Sequence, residues 1–420
     1  MANKRTVPKL KMGWLFILPW IVDNIGGVNR VVLELCTYCG KEKEYLPYLA
    51  TPTNQVYKEL PMLNHVFQSV VFKPLILSLD TSNNIKHILF FLLRLPYEIV
   101  KSGWVVKKLN IKTVNFHYVG GLSPLTFAMI KMFFPLKFRM ILSFHGSDVL
   151  SLEKCSKLEK KIFGFILSKT DYAVGCSKGI SCQIKAIFPK YEKKIVFVHN
   201  GISEHFFFSK FENFKKKEFA DGIQGKKFIL SIGAFIHIKG HDILIKAFSI
   251  LKKSHPDLFL IIVGKPAVES KKIKQLIDSL ELDKSIYIYD MVLPDQITKF
   301  YDNASLFVSA SRYESFGLVI AEAGARGLPV IATKTIGSEE IIEHSISGLL
   351  VEKENPEALE KAIRFLLNNP ERAHFFAENM RRRVSSHFRW EFAWEKYKLL
   401  ALNQWPENSE SGIKSEERSL

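Results

Sequence analysis

The sequence predicts an α/β protein built from two doubly wound domains, each a mostly parallel sheet with helices on both faces. Strand-like apolar runs alternate with helical patterns along the whole chain. A polar, Lys-rich stretch divides that alternation into two series, and the 420 residues suffice for two full cores. In open parallel sheets ligands bind beyond the carboxyl ends of the strands, so the motifs that matter should stand at strand ends, facing a cleft between the domains.

The first element is the apolar run from Gly13 to Val22 behind the basic MANKRTVPKLK. It imitates a signal peptide, but it is too short to span a bilayer and no small-residue cleavage site follows, so it is expected to be a buried strand near Trp14–Leu18. A helix over Val28–Cys39 follows, then strands near Thr113–Phe116, Arg139–Phe144, Tyr172–Gly175 and Ile195–His199. The second series has strands near Phe228–Gly233, Leu258–Val263, Ser285–Tyr289, Leu306–Ser309, Val330–Thr333 and Gly348–Val351. Its helices fall at Asp242–Lys253, Lys271–Leu280, Pro294–Asp302 and Leu318–Arg326. The expected domains are therefore residues 1–204 and 226–387, joined by a linker over 205–225 around FENFKKKEF. The charged 406–420 tail is expected to be disordered.

Charge is unevenly shared. Residues 1–210 carry 29 Lys and Arg against 13 Asp and Glu, a net of +16 out of +17 for the chain. A one-sided field suits an anionic surface or partner. The basic, aromatic stretches Ile85–Asn110 and Phe127–Met140 have the composition of interfacial helices, which points to an anionic membrane surface met by the N-terminal domain. No recognition helix, zinc spacing or aromatic RNA motif supports nucleic acid as a partner. No segment has the length of a transmembrane helix, so the expected location is cytoplasmic, peripheral at the inner face of the cytoplasmic membrane. Five scattered cysteines (Cys36, Cys39, Cys155, Cys176 and Cys182) read as buried thiols of a reducing compartment, even though Cys36 and Cys39 make a C-x-x-C.

The strongest motif runs from Ser309 through Glu314, Gly317 and Glu322 to Thr333: strand, turn, helix, strand. Glu314 precedes the helix, so its carboxylate can face a cleft. The amides of Phe316, Gly317 and Leu318 form the positive helix end, where an anion can bind. Gly317 lets a phosphate approach the backbone. Glu322, about two turns in, can accept two hydrogen bonds from a ribose diol. The plainer reading makes Glu314 a helix cap and Glu322 part of a solvated face.

This pattern closely resembles the E-x7-E motif of the group 1 (GT4) glycosyltransferases of GT-B fold, and the resemblance extends from about Trp14 to Tyr397. It implies two facing Rossmann-like domains and transfer of a sugar from a nucleotide-diphosphate donor, with Glu314 on the transferred sugar and Glu322 on the donor ribose. A second block, Ser231 to Gly240, resembles the family's diphosphate site. Lys239 follows a strand and precedes a helix, so its ammonium can reach the phosphates; the family's usual Arg is replaced by Ala234. Ile336-Gly337-Ser338-Glu339-Glu340 resembles the turn that brings backbone to the donor, and the turn Asp290–Pro294 should lie beside the nucleobase.

In the N-terminal half, Gly26-Gly27 resembles the loop that lies over the donor phosphates, and His145-Gly146-Ser147-Asp148 resembles the H-G-x-D loop that sets a histidine near the transferred sugar. His199-Asn200-Gly201 is read as structural. Trp390 matches a C-terminal helix, expected over 388–405, that packs back on the first domain.

The family resemblance implies a hexosyltransferase that retains anomeric configuration, needs no metal or other cofactor, and serves a saccharide or lipid-linked acceptor in surface polysaccharide or glycolipid assembly. The absence of a D-x-D triplet agrees with metal-free chemistry. Which nucleotide is used (UDP, GDP or ADP), which sugar and which acceptor stay open. Two alternatives stand beside this reading: a non-hydrolysing nucleotide-sugar epimerase of the same fold, and a non-catalytic basic membrane or nucleic-acid-binding protein.

Overall fold

The computed structural model describes residues 11–20, 26–52, 68–71, 85–119, 123–208, 225–290, 292 and 294–406. Most of the expected linker and nearly all of the expected tail lie outside the described residues, as do two residues of the 290–294 turn. The chain divides into two compact units, with boundaries at Val198/His199 and Trp390/Glu391.

The first unit begins with β1 (Met12–Ile17), α1 (Gly27–Lys41), β2 (Tyr45–Thr51) and β3 (Gln68–Val71). It continues through α2 (Ile85–Lys108), β4 (Ile111–His117), α3 (Ser123–Phe133), β5 (Arg139–Phe144) and α4 (Ser147–Glu153). α5 (Lys157–Lys169), β6 (Tyr172–Gly175), α6 (Lys178–Ile187) and β7 (Ile195–Phe197) complete it. Among the described residues the strands make one parallel sheet in the order β3-β2-β1-β4-β5-β6-β7. The signal-peptide look-alike is thus a central strand, with Trp14 and Phe16 fully buried.

β2 and β3 were not expected. Pro47 argues against a strand because it cannot donate to a ladder. Pro47 nevertheless lies in register with Trp14 of β1, one residue before the first described pair with β3, Tyr48↔Gln68. α2 likewise runs through Pro96. Cys36 and Cys39 are fully buried in α1, where burial pushes both thiols up, as befits packing residues.

The second unit opens with His199–Phe208, whose Phe206 is buried with its ring 5.9 Å from Tyr301. The first part of the expected linker is therefore packed chain. β8 (Phe228–Ile232), α7 (His241–Lys252), β9 (Phe259–Val263), α8 (Ser270–Ser279), β10 (Ile286–Tyr289) and α9 (Pro294–Asn303) follow. Next come β11 (Leu306–Ser309), α10 (Leu318–Ala325), β12 (Val330–Thr333), α11 (Ile336–Ile341) and β13 (Leu349–Val351). α12 (Pro356–Asn368) and α13 (Pro370–His387) close the unit. Its parallel sheet has the order β10-β9-β8-β11-β12-β13, again among the described residues.

The core explains why these runs are strands. Leu260, Ile262, Val308 and Ile331 are fully buried, as near-continuous apolar strands must be when helices cover both faces. α14 (Trp390–Leu402) then crosses to the first unit. There the Trp394 ring lies 4.9 Å from that of Trp14, its indole N–H donates to Glu42 at 2.9 Å, and the Tyr397 hydroxyl is 3.0 Å from that of Ser143.

Candidate active site

In a doubly wound sheet, the crevice opens between neighbouring strands whose following helices leave to opposite faces. In the second unit those neighbours are β8 and β11. Lys239 follows the first and Glu314 follows the second. The Lys239 Nζ lies 2.7 Å from Glu314 Oε2, and both side chains are largely covered, at 21% and 13% exposed. Ser311 donates its hydroxyl to the same oxygen at 3.4 Å.

Glycines make this approach possible. After β8 the chain forms a tight turn over His237–Lys239 and reaches Gly240, which caps α7 at φ 62°, ψ 28°. A Cβ at Gly240 would lie 2.0 Å from the carbonyl oxygen of Ala310. No side chain fits there, and the left-handed backbone also favours glycine. The stem of Lys239 lies across Gly233, where an added Cβ would come within 3.2 Å of it.

Arg312, which the sequence reading did not single out, locks the turn. Its guanidinium donates to both Asp242 oxygens at 2.8 Å and to the carbonyl of His237 at 2.7 Å, and its backbone N–H donates to Ile238 O at 2.8 Å. The Lys239 turn is thus tied on both flanks to the loop that carries Glu314. Only the three-dimensional path shows this, because Arg312 and Asp242 are far apart in sequence.

Glu314 does not cap α10. The N-cap is Gly317, at φ 98°, ψ 51°, without a side-chain capping bond. Among the described residues the N–H groups of Phe316, Gly317 and Leu318 meet no backbone acceptor, and they stand at the positive end of the helix. Glu314 folds over this end: a Cβ on Gly317 would lie 3.3 Å from its Cγ. Gly337 donates its N–H to the carbonyl of Glu314 at 2.8 Å and sits so close to Phe316 that a Cβ would come 2.4 Å from the Phe316 carbonyl oxygen. Lys239, Glu314, Gly317 and Gly337 therefore form one compact group.

Glu322 lies deeper. It is 1% exposed, which removes the solvated-face reading, and Oε2 accepts a hydrogen bond from the Tyr301 hydroxyl at 2.9 Å. Tyr301 was also missed; it reads as an ordinary core aromatic of α9. His199, read as structural, pairs with Glu340 at 2.7 Å, and Gly201 packs against the backbone of Trp390.

In the first unit the equivalent neighbours are β1 and β4. Gly26, at φ −79°, ψ 159°, caps α1; it is exposed, and among the described residues nothing lies within 4 Å of where its Cβ would stand. Neither strain nor crowding requires glycine there. What Gly26 and Gly27 offer is bare backbone. His145 leaves β5, and its Nε2 lies 3.1 Å from Nδ1 of His117, the last residue of β4 and a third one the sequence reading missed. Below it Asp148 accepts N–H bonds from His145, Gly146, Val149 and Val119 at 2.7–3.1 Å. Gly146 turns this loop at φ 116°. Burial lowers the His145 pKa to about 4 and His117 well below the usual range, so both rings are neutral near pH 7. Burial raises Asp148 to about 6 against the pull of its four N–H partners. Among the described residues no group of three or more His, Cys, Asp or Glu is placed to hold a metal ion.

Residues 211–383 match the family model described as "Glycosyl transferases group 1". An uncharacterized glycosyltransferase of Haemophilus influenzae is 34% identical over 146 residues, and one of Methanocaldococcus jannaschii is 31% identical over 260 residues. These alignments take in 34% and 61% of this chain, and the chain spans only 40% and 65% of the two relatives' own length. Among solved structures, a glycosyltransferase from Rickettsia africae superposes with TM-score 0.74 at 22% identity, over 94% of this chain and 98% of that one. Anabaena HepE in complex with UDP superposes with TM-score 0.72 at 16% identity, over 94% and 100%. The fold shared with these structures is GT-B.

Proposed function

We propose, for a chain that belongs to the group 1 (GT4) glycosyltransferase family, that it transfers a sugar from a nucleotide-diphosphate donor held by the second unit to a saccharide or lipid-linked acceptor, with retention of anomeric configuration. One observation carries the proposal: an ammonium and a carboxylate meet at 2.7 Å beside unbonded amides at a helix N-terminus. A diphosphate competes for that ammonium and for those amides, and Glu314, once released, accepts hydrogen bonds from the sugar hydroxyls. UDP in the HepE complex makes a uridine donor the first to try.

In this reading the acceptor hydroxyl enters on the face that the diphosphate leaves. Its oxygen bonds to the anomeric carbon, the bond from that carbon to the phosphate oxygen breaks with its electron pair on phosphate, and the hydroxyl proton passes to that oxygen. Lys239 and the amides of Phe316, Gly317 and Leu318 hold the developing charge, so the protein contributes position and electrostatics without a metal. Glu322 orients the donor ribose, while Gly26, Gly27 and His145 belong to the acceptor-side unit.

The excess positive charge of residues 1–210 supports a further part of the reading: the first unit meets an anionic membrane surface from which a lipid-linked acceptor is presented. Among the described residues no helix is long and apolar enough to cross a membrane.

The test is titration calorimetry with UDP, GDP and ADP, then with their sugars. One nucleoside diphosphate should bind in wild type and weaken in Lys239→Met. Equal indifference to all three, with no sugar transfer from any of their donors, removes the proposal; epimerised sugar from donor alone assigns the chain to the epimerase alternative.

A further inference from the structure

α2 is apolar on two faces. Leu95, Ile99, Ser102 and Val106 are buried against the first unit, and Val106 is 3% exposed. A second row, Leu93, Tyr97, Val100 and Trp104, repeats the same spacing of four, three and four residues, but stands 78%, 62%, 63% and 58% exposed. An ordinary surface helix turns a polar face to water, and a helix apolar all round is normally covered. The row is continuous, so it is not the scatter of single apolar residues found on most surfaces.

Lysines border it. Lys108 Nζ lies 4.4 Å above the Trp104 ring and Lys101 Nζ 5.9 Å from that of Tyr97, while Lys107 is exposed beside them. The neighbouring α3 ends in the exposed Met132 and Phe133, and the exposed Phe134 follows it. Leu136, just beyond, comes within 3.8 Å of where a Cβ on Gly103 would stand, so the end of α3 meets α2 one residue before Trp104.

Aromatic and aliphatic side chains in a row, edged by cations, match a lipid interface. The rings reach the acyl boundary while ammonium groups stay at the anionic headgroups. We infer that the row Leu93–Tyr97–Val100–Trp104, with the tip of α3, is an insertion face through which the first unit docks on an anionic bilayer. The occupant is lipid because the border is uniformly basic and the charge surplus lies in the same unit; a second copy of this basic face would bring like charges together. The inference rests on the peripheral-membrane reading above and adds an apolar, salt-resistant component to it.

The experiment is cosedimentation of the full-length protein with vesicles of phosphatidylcholine, with and without phosphatidylglycerol, in low and high salt. Wild type is compared with Tyr97→Ser/Trp104→Ser, which changes only exposed side chains and is checked by circular dichroism. Wild type should prefer anionic vesicles and keep a bound fraction in high salt; the variant should lose that fraction by roughly tenfold, given the transfer energy of two aromatic side chains. Binding abolished by salt in both proteins, or equal salt-resistant binding in both, overturns the insertion face and leaves the electrostatic reading intact. Absence of wild-type binding to any vesicle overturns both. A wild-type dimer in light scattering that the variant converts to monomer assigns the row to self-association and also overturns it. UDP binding by the same variant, which alters no residue of the second unit, reports separately on the donor site.

Discussion

The Lys239 ammonium and the Glu314 carboxylate meet at 2.7 Å across the point where the second sheet reverses its winding. Each group is mostly shielded from water, so neither is a loose surface charge. The pair holds the site ready: Lys239 is aimed before a ligand arrives. Lys239→Met should lower the rate of nucleoside diphosphate release by roughly 10²–10³-fold, the scale for removing a group that stabilises leaving-group charge, with circular dichroism unchanged. Glu314→Gln keeps the shape and should cost less than Lys239→Met. The double variant should lose less than the product of the two single losses, because the two groups act as a unit. Full activity in Lys239→Met removes this lysine from the mechanism.

Arg312 touches neither partner with its side chain, yet it ties down both flanks of the Lys239 turn. Its fork fits the Asp242 carboxylate at two points, which a lysine cannot reproduce. Arg312→Lys should therefore behave nearly as badly as Arg312→Ala, with kcat reduced by roughly tenfold for a misplaced catalytic group. Nucleotide affinity should fall less, because the amides of α10 are untouched. Initial-rate kinetics with calorimetry on the same samples separates the two effects; rescue by lysine would show that charge alone is needed.

Much of this was legible in the chain. Strand ends such as Arg139–Phe144 and Leu306–Ser309 coincide with the expected limits, because a buried parallel strand is a bounded apolar run. β2 escaped because Pro47 argues against a strand, whereas the residue is in register with Trp14 of β1, a fact of pairing that the chain does not spell out. Glu314 and Lys239 were legible because each belongs to a local motif. Arg312, Tyr301 and His117 were not, since each earns its place by reaching a partner distant in sequence. The one-residue grip of Gly337 on Phe316 is similar: the motif suggested a ligand-facing turn, while the backbone contact explains why glycine is required.

Gly240 tests that kind of packing directly. Its left-handed backbone costs a non-glycine residue about 1–2 kcal/mol. The added methyl would also overlap the Ala310 carbonyl oxygen, which cannot move without shifting the end of β11. Gly240→Ala should therefore destabilise by at least about 2 kcal/mol in urea titration of the second unit. By contrast Gly26→Ala, at an open and unstrained position, should leave stability unchanged within about 0.5 kcal/mol. A reversed ranking would mean that the loop around Lys239 is not held as described.

Acid should weaken the fold through buried imidazoles. His117 and His241 are 1% and 3% exposed, and burial lowers the first well below the usual range and the second to about 4; His145 is lowered to about 4 as well. In the unfolded chain each titrates near about 6.5. Between about 6.5 and 4 the unfolded state thus binds protons that the folded state refuses, and stability is lost as pH falls through that window. Asp148 works the other way. Its pKa is raised to about 6 from an unfolded value near about 3.9, so the folded state binds the extra proton between those values and gains stability as pH falls. Three histidines against one aspartate leave a net loss, with a slope of about 1–3 kcal/mol per pH unit. His117, His145 and Asp148 share the first unit and His241 belongs to the second, so each unit carries its own part of the acid response. Urea titrations at pH 7 and pH 5, followed by probes in each unit, measure both slopes, and replacing His241 with Asn should flatten the second one alone.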